Sequence, residues 1–119
     1  MKPFSNPNIV LFCGGRNYND LDSVVQAVDE EQSLGTPFII VGGADGADRL
    51  AKTIAQSRGV HVATVDALWD PYGKSAGPIR NAMMLTLNPV RVRAFPGGNG
   101  TANMLHLAHR AGIEVVHRT

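Results

Sequence analysis

The chain has 119 residues, enough for one domain with its own core, and 44% of them are apolar. Eleven basic and ten acidic residues leave a net charge of +1, so bulk charge makes no case for nucleic acid as a partner. One cysteine, Cys13, excludes an internal disulfide framework or a cysteine-cluster zinc site, and no apolar run approaches the roughly 20 residues of a membrane span.

Residues 1–8 read as an irregular lead-in with no apolar block, so no signal peptide is expected and the cytoplasm is the expected compartment. Ile9 to Cys13 is a short continuous apolar run, the signature of a strand buried on both faces. Gly14-Gly15-Arg16 follows as a loop. Leu21, Val24, Val25 and Val28 then recur at helical spacing, with Asp20 or Asp22 placed to cap and Gly35 and Pro37 to stop. Phe38 to Val41 is a second strand, and Gly42-Gly43-Ala44-Asp45-Gly46-Ala47-Asp48 leads into a second helix. Asp45 is its expected N-cap and Asp48 sits in a box-like position.

Val60 to Val65 reads as the third strand. Asp66 to Gly77 reads as a long loop carrying Trp69, Tyr72, Lys74 and Ser75. Pro78 to Leu87 is expected to be helical, with Ile79, Met83, Met84 and Leu87 on one face. Val90 to Phe95 is the fourth strand, Gly100 to Ala111 the last helix, and Ile113 to Val116 the fifth strand. Alternating strands and helices predict an α/β fold: a parallel sheet of about five strands, helices on both faces, order 3-2-1-4-5. The whole chain, 1–119, reads as one such domain.

In that order the glycine loops after strands one, two and four meet at the switch point, where ligands of such sheets bind. Pro96-Gly97-Gly98-Asn99-Gly100-Thr101 is the sharpest of them. Its glycines let backbone approach a ligand, and orphaned amides at a helix start suit a phosphate. Gly14, Gly15, Gly42 and Gly43 supply companion loops. Arg16 and Arg80 would neutralise the phosphate, and Asp45 or Asp48 would accept from a sugar hydroxyl or base amino group. Arg80, with Asn81 beside it, falls in the first turn of its expected helix, against the helix dipole, which favours an anionic partner. Trp69 and Tyr72 are candidates for base stacking.

Two common motifs fail. The dinucleotide fingerprint needs a glycine where Asn103 stands, and Gly73-Lys74-Ser75 lacks the upstream glycine of a Walker A loop, where Leu68 stands. His106 and His109 read as exposed helix residues and Cys13 as a buried inert thiol, so no metal site and no cofactor are expected. The glutamates, Glu30, Glu31 and Glu114, lie far from the loops, so acid–base work would fall to Asp20, Asp45, Asp48, Asp66 or Asp70.

The loop residues from Gly14-Gly15-Arg16, through Gly42 to Ala51, Trp69 with Tyr72-Gly73-Lys74, Ala76 to Asn81, and Phe95 to Thr101, run in order over nearly the whole chain. On these residues the chain resembles the SLOG superfamily, in particular its small YspA and cpYpsA-related group of the DUF2493 type. That resemblance implies a Rossmann-like three-layer αβα sandwich, a nucleotide or nucleotide-derived ligand, and a homodimer; the apolar Met83/Met84 region is a candidate for its interface. The superfamily's LOG-type phosphoribohydrolases cleave the N-glycosidic bond of nucleoside monophosphates, using an arginine and the glutamate of Pro-Gly-Gly-x-Gly-Thr-x-x-Glu. Here Arg80 matches the arginine and Met104 stands at the glutamate. A thioether cannot stabilise an oxocarbenium ion, so this departure favours binding without turnover. The alternatives are an N-glycosidase with an aspartate in the glutamate's role and an interaction module with a vestigial pocket. DprA, a DNA-binding relative, is larger and more basic.

Overall fold

The computed structural model describes residues 6–36 and 38–119, with backbone alone at 6–8, 70 and 71. The apolar runs form five parallel strands: β1 (Asn6–Cys13), β2 (Phe38–Gly42), β3 (His61–Val65), β4 (Pro89–Ala94) and β5 (Glu114–His117). They lie in the order β3-β2-β1-β4-β5, the order that the alternation predicts. β1 starts at Asn6 rather than Ile9 because Asn6 pairs with Pro89 ahead of a register shift, a contact that hydrophobicity does not reveal. The remainder of the expected lead-in, residues 1–5, and the expected helix stop at Pro37 lie outside the described residues.

Side chains alternate across the central strands and so feed two cores. Val10, Phe12, Ile39 and Val41 pack with Val24 and Val28 of α1 (Leu21–Ser33) and with Ala51 and Ala55 of α2 (Ala47–Ser57). Leu11, Ile40 and Val92 pack on the opposite face with Met84 of α4 (Ala76–Leu85) and with Met104 and Ala108 of α5 (Asn99–Arg110). Full burial of each large aliphatic or aromatic side chain contributes about 1.5–3 kcal/mol. The two cores therefore hold a rigid sheet whose C-terminal strand ends carry the glycine turns.

Two local expectations are corrected. The stretch from Trp69 is not an open loop: α3 (Trp69–Tyr72) and a 3-10 turn (Gly73–Ser75) run directly into α4. α4 consequently begins at Ala76, and Arg80 is its fifth residue instead of a first-turn residue. Of the apolar residues expected on one face of this helix, Met84 is buried, while Ile79, Met83 and Leu87 are exposed. Ile79 and Met83 share one helical stripe and Met84 the next, Leu87 lies past the helix end at Leu85, and Met84's stripe meets the sheet.

On α1, Glu31 is buried at 1% exposure. It accepts from Thr36 Oγ1 at 2.7 Å, Arg91 Nε at 2.8 Å and Arg93 Nε. Fully partnered in this way, it fastens α1 to β4, whose far end launches the last glycine turn. Removing one member of such a buried ionic network costs about 3–5 kcal/mol. Among the described residues no helix is long and apolar enough to cross a membrane.

Candidate functional site

The turns after β1, β2 and β4 meet around a cleft of about 480 Å³ at the switch point between β1 and β4. The β1 turn supplies Gly14, Gly15 and Arg16; the β2 turn and α2 supply Gly42 and Asp48. α3 and α4 supply Trp69, Arg80 and Asn81, and the start of α5 supplies Gly98, Gly100 and Thr101. A second hollow of about 320 Å³ shares Arg16, Trp69 and Arg80 with the first and adds Gly43, Asp45 and Asp66. Pro96 and Gly97 line a third hollow instead, beside Phe95 and His117, and half-exposed Tyr72 lines none of the three.

Close packing accounts for the placement of Gly97. A Cβ there would run into Thr101 Oγ1 and lie 2.7 Å from Gly15 N. The Gly15 amide donates to the Pro96 carbonyl at 2.9 Å, so the β1 and β4 turns are zipped together behind the cleft. Gly98 and Gly100 differ. Neither has a left-handed φ, and a Cβ on either would meet nothing within 4 Å. They begin α5, which has no capping side chain. The first intrahelical bond is from the Ala102 amide to the Gly98 carbonyl at 3.0 Å, which leaves the amides of Asn99, Gly100 and Thr101 without helical acceptors.

The start of α2 is built by other means than expected. Its N-cap is Gly46, at φ +76, and no side chain caps it. A Cβ on Gly46 would strike the Gly15 and Arg16 carbonyls. The Ala47 amide donates to the Gly15 carbonyl at 3.2 Å, which fastens α2 to the β1 turn. Asp45 is therefore free of the capping role and makes an exposed pair with Arg49 at 3.4 Å.

Arg80 and Asp48 flank the bare Cα of Gly42. A Cβ added there would stand 2.5 Å from Arg80 Nη1 and 2.9 Å from Asp48 Oδ2. Arg80 donates through Nε to Asn81 Oδ1 at 3.0 Å and through Nη1 to the Val65 carbonyl at 3.4 Å, so its remaining N–H groups are available to the cleft. Asn81, 4% exposed, also donates to the Gly100 carbonyl at 3.1 Å and to Asn103 Oδ1 at 3.0 Å. It braces the arginine and the first turn of α5 in one fixed relation. Arg16 lies over the Trp69 ring, 5.6 Å from its centroid, a cation–π contact that orients the guanidinium.

Asp48 is the one carboxylate among the described residues lining the larger hollow. Burial pushes its carboxyl up to about 7, against the opposing pull of the Ala44 amide and Arg80. Burial likewise pushes the Cys13 thiol up to about 12, with Asp48 adding to the shift and Arg80 opposing it. Met104 does not reach the cleft. It is fully buried in the core beneath α5. His106 and His109 are exposed on α5. Asp20 caps α1, accepting from the Ser23 amide at 3.1 Å, and the Asp70 side chain lies outside the described residues.

Several lining residues were not singled out from the sequence: Asn17, Ala44, Gly77, Asn99 and Asn103, together with Cys13 as a cleft residue. Strand alternation could have placed Cys13 with Leu11 on the α4/α5 face, and helical spacing could have placed Asn103 beside Gly100. The others depend on how the turns fold over one another.

The chain is 33% identical to the Gene 61 protein of Mycobacterium phage D29 over 117 residues, covering 91% of this chain and 94% of that protein. Among solved structures it is similar to TM1055, with a TM-score of 0.73 at 18% identity, covering 91% of this chain and 72% of that one. It is also similar to DNA processing protein A (DprA) from Streptococcus pneumoniae, with a TM-score of 0.60 at 16% identity, covering 92% of this chain and 58% of that one. Likeness at these identities shows the α/β Rossmann-like fold. The family model of the YspA, cpYpsA-related SLOG family matches residues 8–72, more than half of the chain, and the protein belongs to that family.

Proposed function

We infer that the cleft binds a nucleotide or nucleotide-derived ligand and holds it without turnover. Family membership points to a nucleotide-related role. The observation that carries the reading is the open space at Gly98 and Gly100, where the fold imposes no steric need for glycine. Gly98 is an ordinary N-cap residue, but Gly100, inside α5, costs about 0.5–1 kcal/mol relative to alanine, and a ligand seated on the backbone gives that cost a purpose.

In this reading the phosphate sits on the amides of Asn99, Gly100 and Thr101, with Arg16 and Arg80 on either side. Trp69 offers a face to the base. The second hollow, with Asp45 and Asp66, receives hydroxyl groups of the sugar. A volume of about 480 Å³ lies within the ordinary range for small-ligand sites. Met104, held in the core, delivers no acid–base group to the ligand.

The test is thermal unfolding of the protein with a panel of nucleoside monophosphates, cyclic nucleotides and ADP-ribose-like compounds, followed by chromatography of each mixture. At least one compound raises the melting temperature by several degrees and is recovered intact. Release of free base that Arg80→Ala abolishes would overturn the view that the site does not turn over. Absence of any stabilisation would leave the cleft as a vestige on an interaction module. The family resemblance also implies a homodimer, and exposed Ile79 and Met83 on α4 are the residues we assign to it. A monomeric mass by light scattering contradicts that assignment.

A further inference from the structure

Asp48 has no task in the binding scheme above. It lies 6% exposed in the first turn of α2. Its Oδ2 accepts the Ala44 amide at 3.3 Å, and among the described residues it has no ion pair. Arg80, its neighbour across Gly42, is turned to Asn81 and Val65. No buried side-chain oxygen among the described residues lacks a hydrogen-bond partner, so Oδ1, which has none, is reached through the cleft. The same hollow offers the first amides of α5 to an anion. A carboxylate and a bound phosphate sharing so small a space repel one another, and a proton between them turns that repulsion into a hydrogen bond.

We propose that Asp48 enters the complex as a carboxylic acid whose Oδ1–H donates to an anionic oxygen of the ligand, so that binding takes up one proton from solvent. The inference rests on the reading that an anion occupies the α5 cradle. The groups around Asp48 leave it as the one that exchanges the proton. Cys13, facing it from β1, stays a thiol. Arg80 from α4, Arg16 from the β1 turn and Lys74 from the 3-10 turn are cations that attract the ligand. Asp66, beyond Gly43, is exposed, and Asp45 is paired with Arg49. The free carboxyl already sits at about 7, and a neighbouring anion raises it further.

The probes are adenosine 5′-monophosphate and adenosine 5′-sulfate. The sulfate ester has no proton of its own to exchange in the neutral range, so any uptake belongs to the protein. Calorimetric titration of the full chain in buffers of differing ionisation heat reads that uptake directly. It is expected to be close to one proton at about pH 8 and close to none at about pH 6, with affinity falling about tenfold per pH unit above about 7. Asp48→Asn keeps a donor and removes the titration, so its affinity is expected to be retained at about pH 8 and flat with pH. Binding without proton uptake, or a pH dependence that survives in Asp48→Asn, overturns this inference and leaves the anion cradle standing. Failure of both probes to bind at any pH overturns the cradle reading for these ligands, and the inference with it. The uptake measurement on the unaltered chain decides the matter even where the variant does not fold.

Discussion

In the turn between β2 and α2, a methyl group added at Gly42 would stand 2.5 Å from Arg80 Nη1, and one at Gly43 or Gly46 would enter Asp66 or the carbonyls of Gly15 and Arg16. In the turn between β4 and α5, one added at Gly98 or Gly100 meets nothing within 4 Å. Both turns look alike as strings of glycine. The first uses glycine to fit the protein against itself, and the second does so at Gly97 alone and leaves Gly98 and Gly100 facing open space. Crowded glycines position Arg80, Asp48 and the β1 turn. The open ones are where we propose that the ligand sits.

The largest effect expected from breaking this contrast is at Gly46. An alanine there takes on both an unfavourable left-handed φ and a collision with backbone that cannot yield. Gly46→Ala is expected to lose about 2–4 kcal/mol of stability in urea unfolding. Asp48 comes next. Its folded-state value of about 7 lies above the ordinary 3.8, so the native state holds the proton more tightly than the unfolded chain. The stability this gives is full below about pH 4 and is lost as the pH rises through about 7. Asp48→Asn is therefore expected to be more stable than the parent at about pH 8, by up to about 4 kcal/mol, and to lose that advantage in acid. Unfolding curves at several pH values check it.

Arg80→Ala sharpens the contrast between holding the fold and holding the ligand. Its hydrogen bonds inside the protein are few, so stability is expected to change by only about 1 kcal/mol. Affinity for a phosphate-bearing ligand is expected to fall about 10- to 100-fold in a binding titration. The smallest effect on the fold is at Gly100. Gly100→Ala is expected to leave stability unchanged or raise it by about 0.5–1 kcal/mol in the absence of ligand.

The sheet was legible because its signals are local. Short apolar runs such as Ile9 to Cys13, each closed by a glycine turn and followed by a helical period, leave a parallel sheet few alternatives. The capping of α1 by Asp20 was legible for the same reason. The errors fall where tertiary contact decides. Asp45 is the better capping side chain, yet the cap falls one residue later, at Gly46, where the next amide meets the Gly15 carbonyl. α3 is a single turn, too short for any period to reveal. The apolar pair Ile79 and Met83 has the spacing of a buried helical stripe, and only the position of α4 on the sheet shows that it faces outward.

The site divides along the same line. That the three turns would converge followed from strand order. That Pro96 and Gly97 would turn to the back of the β4 turn did not, because it depends on the Gly15 to Pro96 hydrogen bond. Nor was the burial of Asp48 legible, since an acidic residue in a first helical turn is ordinarily a solvated one.

The proposed place for the ligand is the open start of α5. It is tested by thermal unfolding of the parent chain and of Gly100→Ala, each alone and with the nucleotide panel. The variant is expected to fold and to melt at or above the parent without ligand, and a compound that stabilises the parent by several degrees is expected to do nothing for the variant. An equal rise in both proteins would contradict it.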